Sequence, residues 1–348
     1  MNSMPGSTAS ASNKKPRILL VGYNWIGDTL MAWPAVQAFR RLHPEAHLAV
    51  LVKPGLAPLW QMHGAPDEIL TYTNGVRALG QAARQVRAGR FDQVYVLPHS
   101  IRSALVPWLA GVPERVGSPG LGRSLLAHRT VAPALGPGRL HQGFEVADLL
   151  VPGLHLRLLE PPQLILPAAA SAEVAGWLGA LPRPWLGVLP GAARGPAKRW
   201  PAGHFAEVAR RWVQEQSGSV ILMGGRDDAV ACAELAAGLG SAACDLAGRT
   251  TLATWAAALK ACDAVVANDS GGMHLAAAVG APVVAVFGLT DPERTGPLGG
   301  PVRVVQDPGE HRRDLARDSQ EAQKRLAAIS PERVYEALRA VRGEAPAA

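Results

Sequence analysis

Residues 263–288, DAVVANDSGGMHLAAAVGAPVVAVFG, leave a chain little freedom in how it folds. Ala264 to Ala267 is a short apolar run suited to a buried parallel strand, Ser270 to Val279 is rich in helix formers, and Pro282 to Phe287 is a second apolar run. Two such strands with a helix between them and almost no slack make a βαβ unit, which commits its surroundings to a parallel sheet covered by helices. Between the first strand and the helix stand Asn268, Asp269, Ser270, Gly271 and Gly272. Asp269 and Ser270 are N-cap types, and the glycines let a ligand approach the backbone closely, so the helix start is suited to phosphate. His274 lies one turn past Ser270 on the same helical face and can reach what the turn holds. The same residues would also serve as a capped turn in any α/β domain, so other parts of the chain must decide.

The β-then-α rhythm recurs along the whole chain. Strands are expected at Arg17–Gly22, His47–Val52, Glu68–Tyr72 and Gln93–Leu97, with helices at Thr29–Leu42 (Pro34 inside it), Leu56–His63, Val76–Ala88 and Ser103–Leu109. A proline- and leucine-rich passage from Leu150 to Pro184 suits a linker and a short incoming strand. The rhythm then restarts: strands at Trp185–Leu189, Val220–Met223 and Cys244–Leu246, and helices at His204–Gln216, from Ala229 to Leu239 and at Leu252–Cys262. The expected organisation is a disordered leader (1–16), a first Rossmann-like doubly wound domain (17–167), a linker (168–183), a second such domain (184–330) facing the first across a cleft, and a last helix within 331–348. With 348 residues the chain is long enough for two domains.

Composition narrows the function. Hydrophobic residues make up 48% and no apolar run reaches about 18 residues, so a membrane-spanning helix is not expected. The leader lacks the apolar core of a secretory signal. Cys232, Cys244 and Cys262 have no metal-type spacing and read as reduced thiols of a cytosolic protein. Through Pro167, 16 Lys and Arg stand against 9 Asp and Glu, while the remainder balances at 19 against 19, so the whole excess of +7 sits on the first half. Its arginines, from Arg77, Arg84, Arg87 and Arg90 through Arg102, Arg115, Arg123 and Arg129 to Arg139, lack interleaved aromatics. That pattern points away from nucleic acid and toward an anionic partner such as a phosphorylated glycolipid at a membrane surface, or toward a merely solvated basic face.

The first strand leads into Gly22–Thr29, which has the GxxxxG spacing of a phosphate loop but carries Asp28 where that loop needs lysine. It is not GxGxxG either, which disfavours a dinucleotide dehydrogenase. Asp28 is instead placed as a general base at the carboxyl edge of the sheet, or as an N-cap of the following helix. After the first strand of the second half comes PGAARGPAKRWP (190–201), where Lys198 can place a compact charge on a diphosphate. Asp227 and Asp228, after a glycine pair, could accept from ribose hydroxyls or a base amine, or be surface acids. His99 follows the Gln93–Leu97 strand and could line the cleft. No DxD pair occurs, so Mg²⁺ is not invoked and no cofactor is called for.

With these residues in place the chain resembles the bacterial heptosyltransferases of glycosyltransferase family 9. The likeness is carried by Gly22–Thr29 with its Gly-Asp, by YVLPHSIRSALVPWLAGVPERVG (95–117), by PGAARGPAKRWP, and by NDSGGMHLAAA (268–278). It extends from Arg17 to the last helix, and the middle stretch, with Pro98, Ser103 and Ala104, is similar to the enzymes that add the second heptose. The resemblance implies an α/β GT-B fold with an N-terminal acceptor domain, a C-terminal donor domain and a last helix that crosses back onto the first. It implies inverting, metal-independent transfer of L-glycero-D-manno-heptose from ADP-heptose to the first heptose of the lipopolysaccharide inner core, in the cytoplasm at the inner membrane. Asp28 takes the catalytic position, Lys198, Ser270, Gly271 and Gly272 the diphosphate, and Asp269, His274, Asp227 and Asp228 the nucleotide sugar. Asn24, Trp25, His99 and Arg102 are candidates on the acceptor side. A family member with another donor or acceptor, or a non-catalytic nucleotide-sugar binding module, remains an alternative.

Overall fold

The computed structural model describes residues 15–120, 122–134, 141–154, 159–309 and 316–343. Most of the leader, Arg139, residues 155–158 of the passage expected to hold a linker and a short strand, and part of the charged stretch Gln306–Gln323 lie outside the described residues.

In chain order the first half runs β1 (Arg17–Val21), α1 (Ile26–Leu42), β2 (His47–Val52), α2 (Ala57–Gln61), β3 (Glu68–Thr71), α3 (Val76–Ala88), β4 (Gln93–Val96), α4 (Ile101–Ala110), β5 (Glu114–Gly117), β6 (Arg129–Thr130) and α5 (Gln142–Leu150). The second runs α6 (Ala168–Leu178), β7 (Trp185–Leu189), α7 (Ala202–Gln216), β8 (Ser219–Leu222), α8 (Ala229–Leu239), β9 (Ala243–Asp245), α9 (Leu252–Ala261), β10 (Ala264–Asn268), α10 (Gly271–Ala278), β11 (Val283–Phe287), α11 (Pro292–Thr295), β12 (Val302–Gln306), α12 (Gln320–Ala328) and α13 (Pro331–Val341). Strands β1, β7, β10 and β11 are apolar nearly throughout because helices cover both faces of each sheet.

Each half builds one six-stranded parallel sheet, ordered β3-β2-β1-β4-β5-β6 in the first and β12-β11-β10-β7-β8-β9 in the second. Counted from its own first strand, the second sheet has the same order as the first. Each sheet therefore reverses direction once, between β1 and β4 and between β7 and β10, and such switch points are where open α/β sheets bind ligands at the carboxyl ends of their strands. The halves meet chiefly where α1 packs on α10.

Several elements depart from the sequence reading. Helix α1 starts at Ile26, so Asp28 is inside its first turn and not its cap; Trp25 holds the N-cap position. Segment 168–178, expected as linker, is helix α6, and its Ala170, Val174 and Leu178 are buried against the side of the second sheet that carries α9. No incoming strand appears among the described residues of 150–184. The last helix, α13, does not cross to the first half: Val334, Tyr335 and Leu338 are buried with Val284, Val286 and Val305 of the second sheet. Its amphipathic face has an apolar sheet to cover at short range, and Arg211 of α7 lies over the Tyr335 ring, 4.3 Å from its centroid.

Candidate active site

The carboxyl ends of both sheets open into one cleft. A cavity of about 600 Å³ is lined from the first half by Tyr23, Asn24, Trp25, Asp28, His99 and Gln142, and from the second by Arg194, Lys198, Asp269, Ser270, His274 and Arg294, among others. Asp28 comes from the first turn of α1, which follows β1, and His99 from the turn after β4, so the first switch point supplies one wall. The loop after β7 and the turn after β10 supply the other. Gly27 is small because His274 lies against it: a Cβ there would come within 2.9 Å of the imidazole Cδ2.

The second wall is held from beneath by Asn268, fully buried at the end of β10. Its Oδ1 accepts from the Trp200 amide at 2.9 Å and its Nδ2 donates to the Pro190 carbonyl at 2.8 Å, which ties both ends of the 190–200 loop to β10. Arg317 braces the same loop: its carbonyl accepts from the Ala197 amide at 3.1 Å, and its guanidinium donates to the Ala193 carbonyl at 3.3 Å. Within this frame the Lys198 ammonium donates to the Asp269 carboxylate, which also accepts from the Thr290 hydroxyl at 2.8 Å. Ser270 is the N-cap of α10 by backbone geometry, yet its side chain makes no cap hydrogen bond. The helix start and the serine hydroxyl are thus available to a ligand, and the helix dipole favours an anion there.

Beside the first cavity lies a second of about 720 Å³, sharing Asn24, Trp25, Gly27, Ala193, Ser270 and Gly271 with it. Leu189, Met223, Trp255 and Gly272 give it an apolar end. Gly272 is required by this packing, since a Cβ there would come within 2.8 Å of the Trp255 ring. Asp227 is exposed on the rim. Asp228 is occupied locally, accepting from the Gly225 amide at 3.0 Å and standing 3.8 Å from Arg199.

Electrostatics separate the titratable groups. Burial pushes the Asp28 carboxyl above its ordinary value, an effect that the charges of Arg194 and Lys198 only partly offset. Burial takes His274 down to about 4, so its ring is neutral at neutral pH; its Nδ1 has no hydrogen-bond partner among the described residues. Burial raises the Tyr23 phenol, which stays protonated beside Asp28.

The profile of glycosyltransferase family 9 (heptosyltransferase) matches residues 79–324. Lipopolysaccharide heptosyltransferase 2 of Escherichia coli (strain K12) is 33% identical over 351 residues, covering 93% of this chain and 98% of the relative. The chain belongs to glycosyltransferase family 9. The solved structure of E. coli ADP-heptose lps heptosyltransferase II superposes with a TM-score of 0.79 at 31% identity, over 94% of this chain and 98% of that one. A family 9 glycosyltransferase structure from Veillonella parvula, at 21% identity, shares the fold with a TM-score of 0.84. The fold is GT-B, and the chain is a glycosyltransferase of the heptosyltransferase family.

Of the residues singled out in the sequence, the transferase brings Asp28, Lys198, Asp269, Ser270, Gly271, His274, Asn24, Trp25 and His99 around the first cavity, and Gly272, Asp227 and Asp228 around the second. Arg102 lines neither. It is exposed on α4, where its charge acts on Tyr72. Sequence reasoning missed Thr290, Gln142, Arg294, Met223 and Trp255, which reach the transferase's cleft from elements distant in the chain. It also passed over Arg194, although that residue stood in a stretch already marked.

Proposed function

We propose that the chain transfers L-glycero-D-manno-heptose from ADP-heptose to the first heptose of the lipopolysaccharide inner core, with inversion and without a metal ion. The observation that carries this reading is the meeting, in one cavity, of a half-buried carboxylate from the start of α1 in the first half with a lysine and an open helix N-terminus from the second. The names of the full-length relatives supply the sugar and the acceptor class.

In this reading ADP lies along the second half, its adenosine toward Met223 and Trp255 and its diphosphate at Ser270–Gly272 beside Lys198. Asp28 takes the proton from the acceptor hydroxyl as that oxygen attacks the anomeric carbon from the face opposite the diphosphate. The bond from the anomeric carbon to the diphosphate oxygen breaks, and the amides at the start of α10 with Lys198 stabilise the charge that develops there. Asp269 and Thr290 position Lys198. His274, neutral and packed on Gly27, is suited to hydrogen bonding and not to carrying charge.

The acceptor is carried in a membrane, and no helix of the described residues is long and apolar enough to cross one. The basic first half, with exposed Arg77, Arg84 and Arg87 on α3 and exposed Val76, Ile101 and Leu125 in the same half, suits peripheral contact with an anionic cytoplasmic leaflet. Incubation of purified protein with ADP-heptose and core acceptors ending before, at or after the first heptose tests the whole reading. The expected result is ADP release only with the acceptor ending at the first heptose, an inverted linkage by NMR, and no loss on adding EDTA. Release with a heptose-free acceptor would move the chain to an earlier step, and release with none would make it a binding module.

A further inference from the structure

The first cavity holds three cations, and two are already matched. Lys198 is paired with Asp269, and Arg294 stands 3.3 Å from Glu145. Arg194 has neither an ion pair nor a hydrogen bond to any described residue, and its side chain is exposed within the cleft. Its backbone, by contrast, is fixed. Ala193 accepts from Arg317, the Gly195 amide donates to the Ala192 carbonyl at 3.1 Å, and Gly195 has a φ of 92°, a left-handed geometry that glycine adopts without strain. A held backbone presenting, four residues before Lys198, a guanidinium that acts on Asp28 only through its charge and makes no ion pair or hydrogen bond to any described residue is poised for a ligand that brings its own negative charge.

We propose that Arg194 is a second diphosphate-binding residue of the donor site, closing over the phosphates from the side opposite the start of α10. Lys198 alone is poorly suited to carry that anion, since Asp269 already neutralises it. The planar fork of an arginine can engage two phosphate oxygens at once. Arg194 lines the same cavity as Asp28 and its charge acts on that carboxyl, so it would reduce the repulsion between the base and the diphosphate. This inference rests on the reading of ADP-heptose as donor.

Calorimetric titration of ADP and of adenosine into the wild-type protein and into Arg194→Ala and Arg194→Lys tests it. Charge-assisted hydrogen bonds of this kind predict a loss of roughly 10- to 100-fold in ADP affinity for Arg194→Ala, unchanged adenosine binding, and partial recovery in Arg194→Lys. Unchanged adenosine binding also shows that the variant is folded. In the same variant the acid limb of kcat/KM moves to higher pH, because Asp28 loses a counter-charge. Wild-type affinity for ADP in Arg194→Ala would overturn the proposal, including the case in which the acceptor KM rises instead and assigns Arg194 to an acceptor anion. A wild-type protein that binds no ADP would overturn both this inference and the donor assignment beneath it.

Discussion

Asp269 and Lys198 stand 71 residues apart in the chain, and the sequence suggests separate contacts for them, one with the nucleotide sugar and one with the diphosphate. The fold joins them into one largely buried pair completed by Thr290. Removing one partner of such a pair costs about 3–5 kcal/mol, because the other charge stays buried without compensation. Asp269→Asn should therefore lower the melting temperature by several degrees, and saturating ADP, whose phosphates replace the lost anion, should raise it more in the variant than in the wild type. Thermal scans with and without ADP check this; equal ADP-induced shifts would contradict the pairing. Local chemistry made Asp28, Lys198 and Ser270–Gly272 legible as residues of the cleft, because an acid beside a glycine after a strand and a glycine turn at a helix start mark a sheet's carboxyl edge within a few residues. Arg194 was legible as a charge but not as a lining residue of the cleft, since an exposed arginine in a loop resembles any surface cation until topology brings it into the same cavity as Asp28. Arg102 shows the converse: adjacency to the His99 turn does not aim a side chain into the cleft.

The βαβ elements at the two switch points follow directly from apolar runs and turn residues. Elements that depend on distant packing were less readable. β12 (VRVVQ) tolerates an arginine and a glutamine because it is an edge strand on which only Val305 is buried, and α6 packs chiefly on α9. Asn268 is similar, since its worth lies in the Pro190 and Trp200 backbone groups it satisfies. Helix–helix packing also has a consequence for pH. Burial holds His63, against the Trp33 ring, at about 4, as it does His274 at the α1–α10 contact. The Nδ1 of His63 accepts from the Ala65 amide at 3.2 Å, which protonation there would break. Both folded values lie below the unfolded value of 6.5, so their stability is fully present above pH 6.5 and is lost as pH falls toward 4. Each contributes on the order of 3 kcal/mol across that window. Urea unfolding at pH 7 and pH 5 should show a clear fall in stability, whereas an unchanged midpoint would contradict the neutral buried state.

At the scale of the molecule, two sheets of the same order face each other so that each supplies half of one site. The repeated rhythm revealed that duplication in the sequence, but not what joins the halves. Those contacts include the α1–α10 packing, the His141 Nε2–H donating to the Gly296 carbonyl at 2.9 Å, and the Glu145–Arg294 pair, all between elements far apart in the chain. In the proposed reading the arrangement separates tasks: the second half anchors the leaving group, and the first brings the base. Such a division makes a simple demand on one variant. Asp28→Asn keeps the shape of the first wall and removes only its proton acceptor, so turnover should fall by about 10²- to 10⁴-fold while ADP affinity stays near that of the wild type. Steady-state kcat with ADP-heptose and the heptose-terminated acceptor, measured beside the ADP dissociation constant on the same preparation, provides the most direct test. A collapse of kcat at unchanged ADP affinity is the predicted result; a variant that turns over at the wild-type rate, or that loses ADP binding along with activity, would contradict the assignment of Asp28 as the base.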